Sequence, residues 1–151
     1  MKDLDNNCVF CKVVSGEFSS YKIAEDEKFI AILDLCPNVK GMTLIITKEH
    51  FDSYAAEMGD EIYSEFFLFA KKVSKLLDDK LGVKRTALVM EGMGINHAHI
   101  KLYPLHGLES QFKEMLTDDK IFFDEYKGYI STMLGPKATE DELNQVRELF
   151  L

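Results

Sequence analysis

Residues 97, 99 and 101 are His, His and Lys, and they alternate with Ala98, Ile100 and Leu102. On an extended strand, alternate side chains share a face. Ala98, Ile100 and Leu102 then turn toward a core, while His97, His99 and Lys101 form a row with neighbours about 6.6 Å apart. Two imidazoles and an ammonium in a row suit phosphate oxygens, and histidine is the side chain best suited to act as a neutral nucleophile near pH 7. The bland alternative is a wet strand face carrying polar residues, and for any single histidine it is the better reading. Against it, two of the chain's four histidines fall in a three-residue window that runs on into Leu102, Tyr103 and Pro104.

The elements that must position this row are readable in outline. Two apolar runs, 21–24 and 29–33, flank Glu25-Asp26-Glu27-Lys28 and read as a β-hairpin. Pro37 cannot donate to a ladder, so Cys36-Pro37-Asn38 ends the second strand. Residues 41–47, rich in Thr and Ile, predict a third strand. Ile62, Phe66, Ala70, Val73 and Leu77 recur at helical spacing, widened by Phe69 and Leu76. They predict a helix over 60–81, with Gly82 at its left-handed end. Two more strands, 86–90 and 97–103, are joined by the short turn Glu91-Gly92-Met93-Gly94. Residues 1–16 read as loop-rich or loosely helical, and the chain from 108 onward as mostly helical. Thr139 and Glu142 form a capping-box signature for a last helix after Gly135-Pro136. Strands, one long helix, strands and then helices favour an α+β fold with an antiparallel sheet over a doubly wound one.

A chain of 151 residues suits a single domain, 1–151. With 46% hydrophobic and 29% charged residues it has the composition of an ordinary globular protein. Its formal net charge of −8 argues against a nucleic-acid polymer as partner, yet a local cluster of His and Lys can still bind a small phosphorylated ligand. No apolar run is long enough to span a bilayer, which argues against a membrane partner, and the polar opening MKDLDNNC does not read as a secretory signal. A cytoplasmic address is the default expectation. Three cysteines without an export signal argue against a disulfide framework. Cys36 reads as a small buried residue and His106 as a surface histidine or a contact to a leaving group.

Three blocks in the right order make a more specific statement. Cys8-Val9-Phe10-Cys11-Lys12-Val13-Val14-x-Gly16-Glu17, then residues 29–50 with Asp34, Pro37 and His50, then His97-Ala98-His99-Ile100-Lys101-Leu102-Tyr103-Pro104 resemble the histidine triad (HIT) family over residues 8–104. The resemblance implies a HIT-like sheet of about five strands, with a core over 8–104 and a helical extension over 105–151. It implies that His99 attacks the α-phosphorus of a nucleotide conjugate to give a nucleotidyl-histidine, with its other ring nitrogen held as a donor by a backbone carbonyl. Dinucleoside polyphosphates and nucleoside phosphoramidates are the implied substrates, purine more than pyrimidine. Asp34 matches the carboxylate that accepts from the ribose hydroxyls; its bland role is a turn former. Val9, Phe10, Val13, Ile32 and Leu35 match the walls of a base pocket, although by type alone they are core residues.

This chain also departs from the pattern. Lys101 replaces the third histidine and serves as a point charge for a phosphate oxygen. The loop before the motif is short, and its Gly92 and Gly94 let backbone N–H groups approach phosphates closely. Cys8-x-x-Cys11 is half a zinc site by spacing. The resemblance supplies His50 and His97 as the other half, a closed and structural site. Two unligated thiols and a thioredoxin-like pair are the alternatives. A homodimer is implied, with weak support from Phe66-Phe67-Leu68-Phe69, which is apolar on more than one helix face. Beside the hydrolase reading stand a transferase and a nucleotide-binding module with little or no turnover.

Overall fold

The computed structural model describes residues 7–151; the reading of the first six residues lies outside them. The chain divides into two compact units, Met1–Phe112 and Lys113–Leu151.

In the first unit the order is helix α1 (Val9–Ser15), strands β1 (Lys22–Glu25), β2 (Phe29–Leu33) and β3 (Thr43–Thr47), and a 3-10 turn at Ala55–Glu57. Helix α2 (Asp60–Leu81) and strands β4 (Thr86–Val89) and β5 (His99–Pro104) follow. The five strands form one antiparallel sheet in the order β1-β2-β3-β5-β4. The α+β class, the hairpin, the third strand and the long helix all stand as the sequence predicts.

Each sheet face is covered by a helix. Phe29, Ala31, Ile45, Ile100 and Leu102 meet Phe66, Phe69, Ala70, Val73 and Leu77 of α2. On the opposite face Ile30, Ile32 and Ile46 meet Cys8, Phe10 and Cys11 of the α1 segment. That explains why β2 reads Phe-Ile-Ala-Ile-Leu without alternation: a strand buried on both sides has no wet face to mark with polar residues. Phe66, 0% exposed and stacked on Phe29 at 5.1 Å, is worth roughly 1.5–3 kcal/mol by burial alone. Asp60 and Glu61 favour the N-terminus of α2 through its dipole, and a left-handed Gly82 ends it.

Three expectations change. Strand β5 begins at His99 rather than at 97, because the backbone of 97 and 98 is satisfied locally. The His97 N–H donates to the Ile95 carbonyl at 2.8 Å and the Ala98 N–H to the Phe51 carbonyl at 2.8 Å. The turn between β4 and β5 accordingly lengthens to residues 90–98. Cys36 is exposed, not buried, because it sits in the turn after β2 where its N–H donates to Asp34 Oδ1.

In the second unit the capping box forms as expected: the Glu142 N–H donates to Thr139 Oγ1 and the Thr139 N–H to Glu142 Oε2, opening α3 (Glu140–Glu148). The rest of residues 113–139 is turns and irregular backbone rather than helix. Its apolar residues, such as Met115, Leu116 and Phe122, are exposed.

Candidate functional site

The row on β5 is set by sheet pairing. His99 lies opposite Ile46, and Ile46 opposite Ile30; Lys101 lies opposite Leu44, and Leu44 opposite Ile32. His99 and Lys101 therefore share the α1-side face, while Ala98, Ile100 and Leu102, each 0% exposed, fill the α2 side. The wet-face alternative fails, since His97 is 0% and His99 4% exposed.

The His99 tautomer follows from its partner. A carbonyl only accepts, so the Nδ1–H of His99 donates to the His97 carbonyl at 2.7 Å, and Nε2 keeps its lone pair. Burial pushes the imidazole below its usual range, with the His97 carbonyl opposing and the Lys101 charge adding to the fall. The ring is neutral near pH 7. The ring is 4% exposed, and the Phe10 ring stands over it with centroids 5.3 Å apart.

Lys101 forms an ion pair with Glu91, which lies in the connection before β5. The phenol of Tyr103, two residues further along the strand, is pushed up by burial. The Lys101 charge opposes that rise, and the Glu91 and Asp34 charges add to it. Asp34 is half-buried at the end of β2 and its Oδ1 accepts from the Cys36 N–H at 2.7 Å, which is the turn-forming role. Of the candidate pocket walls, Phe10 and Ile32 are buried and Val13 packs against them, whereas Val9 and Leu35 are exposed. The two glycines differ. Gly92 approaches the protein's own backbone: a Cβ there would stand 2.8 Å from the Ser53 carbonyl oxygen, while one on Gly94 meets nothing within 4 Å. His106 is on the surface and donates through Nε2–H to the Lys40 carbonyl at 2.8 Å.

Cys8, Cys11, His50 and His97 converge, with one ligand atom from each lying within 4.8 Å of all the others. Cys8 caps α1 and Cys11 lies within it, so one helical turn aims both sulfurs the same way. The Nε2–H of His97 donates to the Thr47 carbonyl at 2.8 Å, leaving the Nδ1 lone pair facing Cys8 Sγ at 3.4 Å and Cys11 Sγ at 3.6 Å. His50 Nδ1 lies 3.3 Å from Cys11 Sγ. In a tetrahedral zinc site, Zn–S near 2.3 Å and Zn–N near 2.0–2.1 Å put S and N about 3.6 Å apart. These four residues can therefore coordinate such an ion. Burial pushes His97 down to about 4, which keeps it in the neutral form a metal requires.

Sequence reasoning missed four contributors. Thr47 orients His97 through its carbonyl, Glu91 pairs with Lys101, and Ser53 and Asn96 brace the connection before β5. The signal for Glu91 was present as the one carboxylate in the loop before the motif; the others act through backbone atoms or at sequence separations that no spacing rule reaches.

Comparison with known proteins agrees with this geometry. The sequence profile of the HIT domain matches residues 15–107. The Bacillus subtilis protein named hit is 30% identical over 126 residues, 80% of this chain and 84% of that one. An adenosine 5′-monophosphoramidase of Schizosaccharomyces pombe is 31% identical over 99 residues, 65% of this chain and 74% of that one. Among solved structures, a Streptococcus mutans protein superposes with a TM-score of 0.69 at 27% identity, covering 97% of this chain and 84% of that one. A zinc-bound histidine triad protein from Mycobacterium smegmatis superposes with a TM-score of 0.63 at 25% identity, covering 72% and 83%. With a profile match spanning the sheet and the His97–Lys101 row, the chain belongs to the HIT (histidine triad) family.

Proposed function

We propose that this protein is a hydrolase or nucleotidyltransferase acting at the α-phosphate of nucleotide conjugates, with His99 as nucleophile. The observation that carries the reading is the Nδ1–H bond to the His97 carbonyl, which leaves a neutral ring with its Nε2 lone pair free. In the first step Nε2 forms a bond to phosphorus as the bond to the leaving group breaks, and the leaving group takes up a proton from solvent. In the second step water, or another hydroxyl or phosphate acceptor, attacks phosphorus, any proton it gives up passing to solvent, and the P–N bond breaks to free neutral His99. Lys101, next in the row, supplies positive charge to a phosphate oxygen, and Asp34 accepts from the ribose hydroxyls. Phe10, Val13 and Ile32 wall the base side of the site, with Val9 and Leu35 at its rim.

The similarity to adenosine 5′-monophosphoramidases supports a purine nucleoside phosphoramidate as substrate, with dinucleoside polyphosphates as the other class. Zinc at Cys8, Cys11, His50 and His97 has a structural role in this reading: four protein ligands leave no open position, and the ion fixes His97 and hence the strand that carries His99. We place the protein in the cytoplasm as a homodimer. Exposed Tyr63 and Leu68 on α2, and Leu88 on the edge strand β4, are apolar surface for that contact. No described helix is long and apolar enough to cross a membrane.

Quenching with alkaline denaturant, in which a P–N bond survives, during turnover of an adenosine phosphoramidate or a diadenosine polyphosphate tests the nucleophile. The expected result is an adenylyl group on the peptide containing His99 in wild type, and neither adduct nor product from His99→Ala. A second reading, a nucleotide-binding module with little turnover, has its own observations: the ring is 4% exposed beneath Phe10, and Lys101 is paired. Measurable AMP binding with neither adduct nor product from wild type would establish it and end the enzymatic reading.

A further inference from the structure

The Lys101–Glu91 pair sits where the row on β5 ends, and it changes what that end of the row can accept. Glu91 is firmly placed. Its side chain is 10% exposed and that of Lys101 23%. The next residue, Gly92, is clamped: the Ser53 hydroxyl lies 2.7 Å from the Gly92 carbonyl and 3.0 Å from Asn96 Oδ1, two acceptors sharing its one proton. Asn96 Oδ1 also accepts from the Ser53 N–H at 3.0 Å, and its Nδ2 donates to Asp52 Oδ1 at 3.0 Å. A braced carboxylate beside a braced ammonium gives this end of the row almost no net charge. A phosphate oxygen that reaches Lys101 finds its charge already answered by Glu91, so the ammonium has little left with which to hold each further negative charge on the ligand.

We propose that Glu91 is a specificity-determining residue, acting through Lys101 to set how much negative charge beyond the α-phosphate the site tolerates. The inference rests on the reading that the α-phosphate lies at His99. Wild type thus disfavours nucleotides with further phosphates relative to a nucleoside monophosphate, and neutralising Glu91 relaxes that preference. Two charges within one Debye length in a partly solvated site support an effect of about tenfold, reduced by salt.

The test is equilibrium binding of AMP and of ADP to the full-length protein, in low salt and in 1 M salt, for wild type, Glu91→Gln and Glu91→Ala, with folding checked by thermal melting. The expected outcome is an ADP-to-AMP affinity ratio about tenfold higher in E91Q and E91A than in wild type, shrinking in high salt. Glu91→Asp, which keeps the charge, restores the wild-type ratio. Adding Lys101→Met to E91Q removes the gain, because the effect runs through Lys101. A ratio within twofold of wild type in both E91Q and E91A, or a gain that persists without Lys101, overturns the inference, as does a wild type that binds neither nucleotide. The binding ratio needs no turnover, so the absence of a His99 adduct is a separate failure that strikes the proposed chemistry alone.

Discussion

Replacing Gly92 with alanine should cost far more than replacing Gly94, although the two lie two residues apart in one connection and both have φ in the left-handed region, +71° and +87°. For either residue, holding a side chain at such a φ costs roughly 1–2 kcal/mol. The loss of unfolded-state freedom on going from Gly to Ala, worth about 0.4–1 kcal/mol the other way, applies to both and drops out of the comparison. What separates them is space. A Cβ on Gly94 meets nothing within 4 Å, whereas on Gly92 it stands 2.8 Å from the Ser53 carbonyl oxygen and 3.3 Å from its carbon. That neighbour is backbone and cannot rotate away. Ser53 is 5% exposed and held through both its N–H and its hydroxyl, so the strain resembles overpacking, about 1–3 kcal/mol more. For a chain of this size a kilocalorie moves the melting temperature by about 2–4 °C, so Gly92→Ala should melt roughly 2–12 °C below Gly94→Ala. Thermal unfolding followed by circular dichroism at pH 7 reads this directly. Melting temperatures for the two variants within about 1 °C of each other would show that the connection yields freely at Ser53 and that Glu91 is not braced in the way its surroundings imply.

Two further outcomes follow from the α1 side of the sheet. Cys11→Ala removes a sulfur that is 2% exposed and lies within 3.6 Å of both His50 and His97. Elemental analysis of protein purified without chelator should find about one zinc per wild-type chain and well under half of that in the variant, and chelator should lower the wild-type melting temperature while leaving the variant's unchanged. Wild type with less than about one zinc per two chains would count heavily against the metal. Phe10→Ala should destabilise by about 3–5 kcal/mol, measured by denaturant unfolding, because a 6% exposed ring is lost from the smaller core. The same change should speed modification of His99 by an imidazole-directed acylating reagent, since Phe10 stands 5.3 Å over that ring. Unchanged reactivity at His99 would mean that Phe10 is not its cover.

Periodicity carried much of this protein. The apolar stripe from Ile62 to Leu77 specifies α2, because a helix packed on a sheet must repeat its buried positions near every 3.6 residues and Gly82 supplies its stop. Alternation on β5 likewise assigned Ala98, Ile100 and Leu102 to one face and His99 and Lys101 to the other, since strand geometry allows nothing else. Local patterns could not say that the second face is covered too. Whether His99 is wet or buried depends on α1 folding back over it, a contact between residues 10 and 99 that no local spacing encodes. The meeting of Cys8 and Cys11 with His50 and His97 spans up to 89 residues of chain and exists only because β3 pairs with β5. The Lys101–Glu91 pair depends on the path of the connection between β4 and β5, which glycine dihedrals and the Ser53 and Asn96 hydrogen bonds decide. Residue types announced which chemistry was available; the charge, exposure and protonation of the groups that would perform it were settled by packing, because those properties belong to neighbours brought together in space.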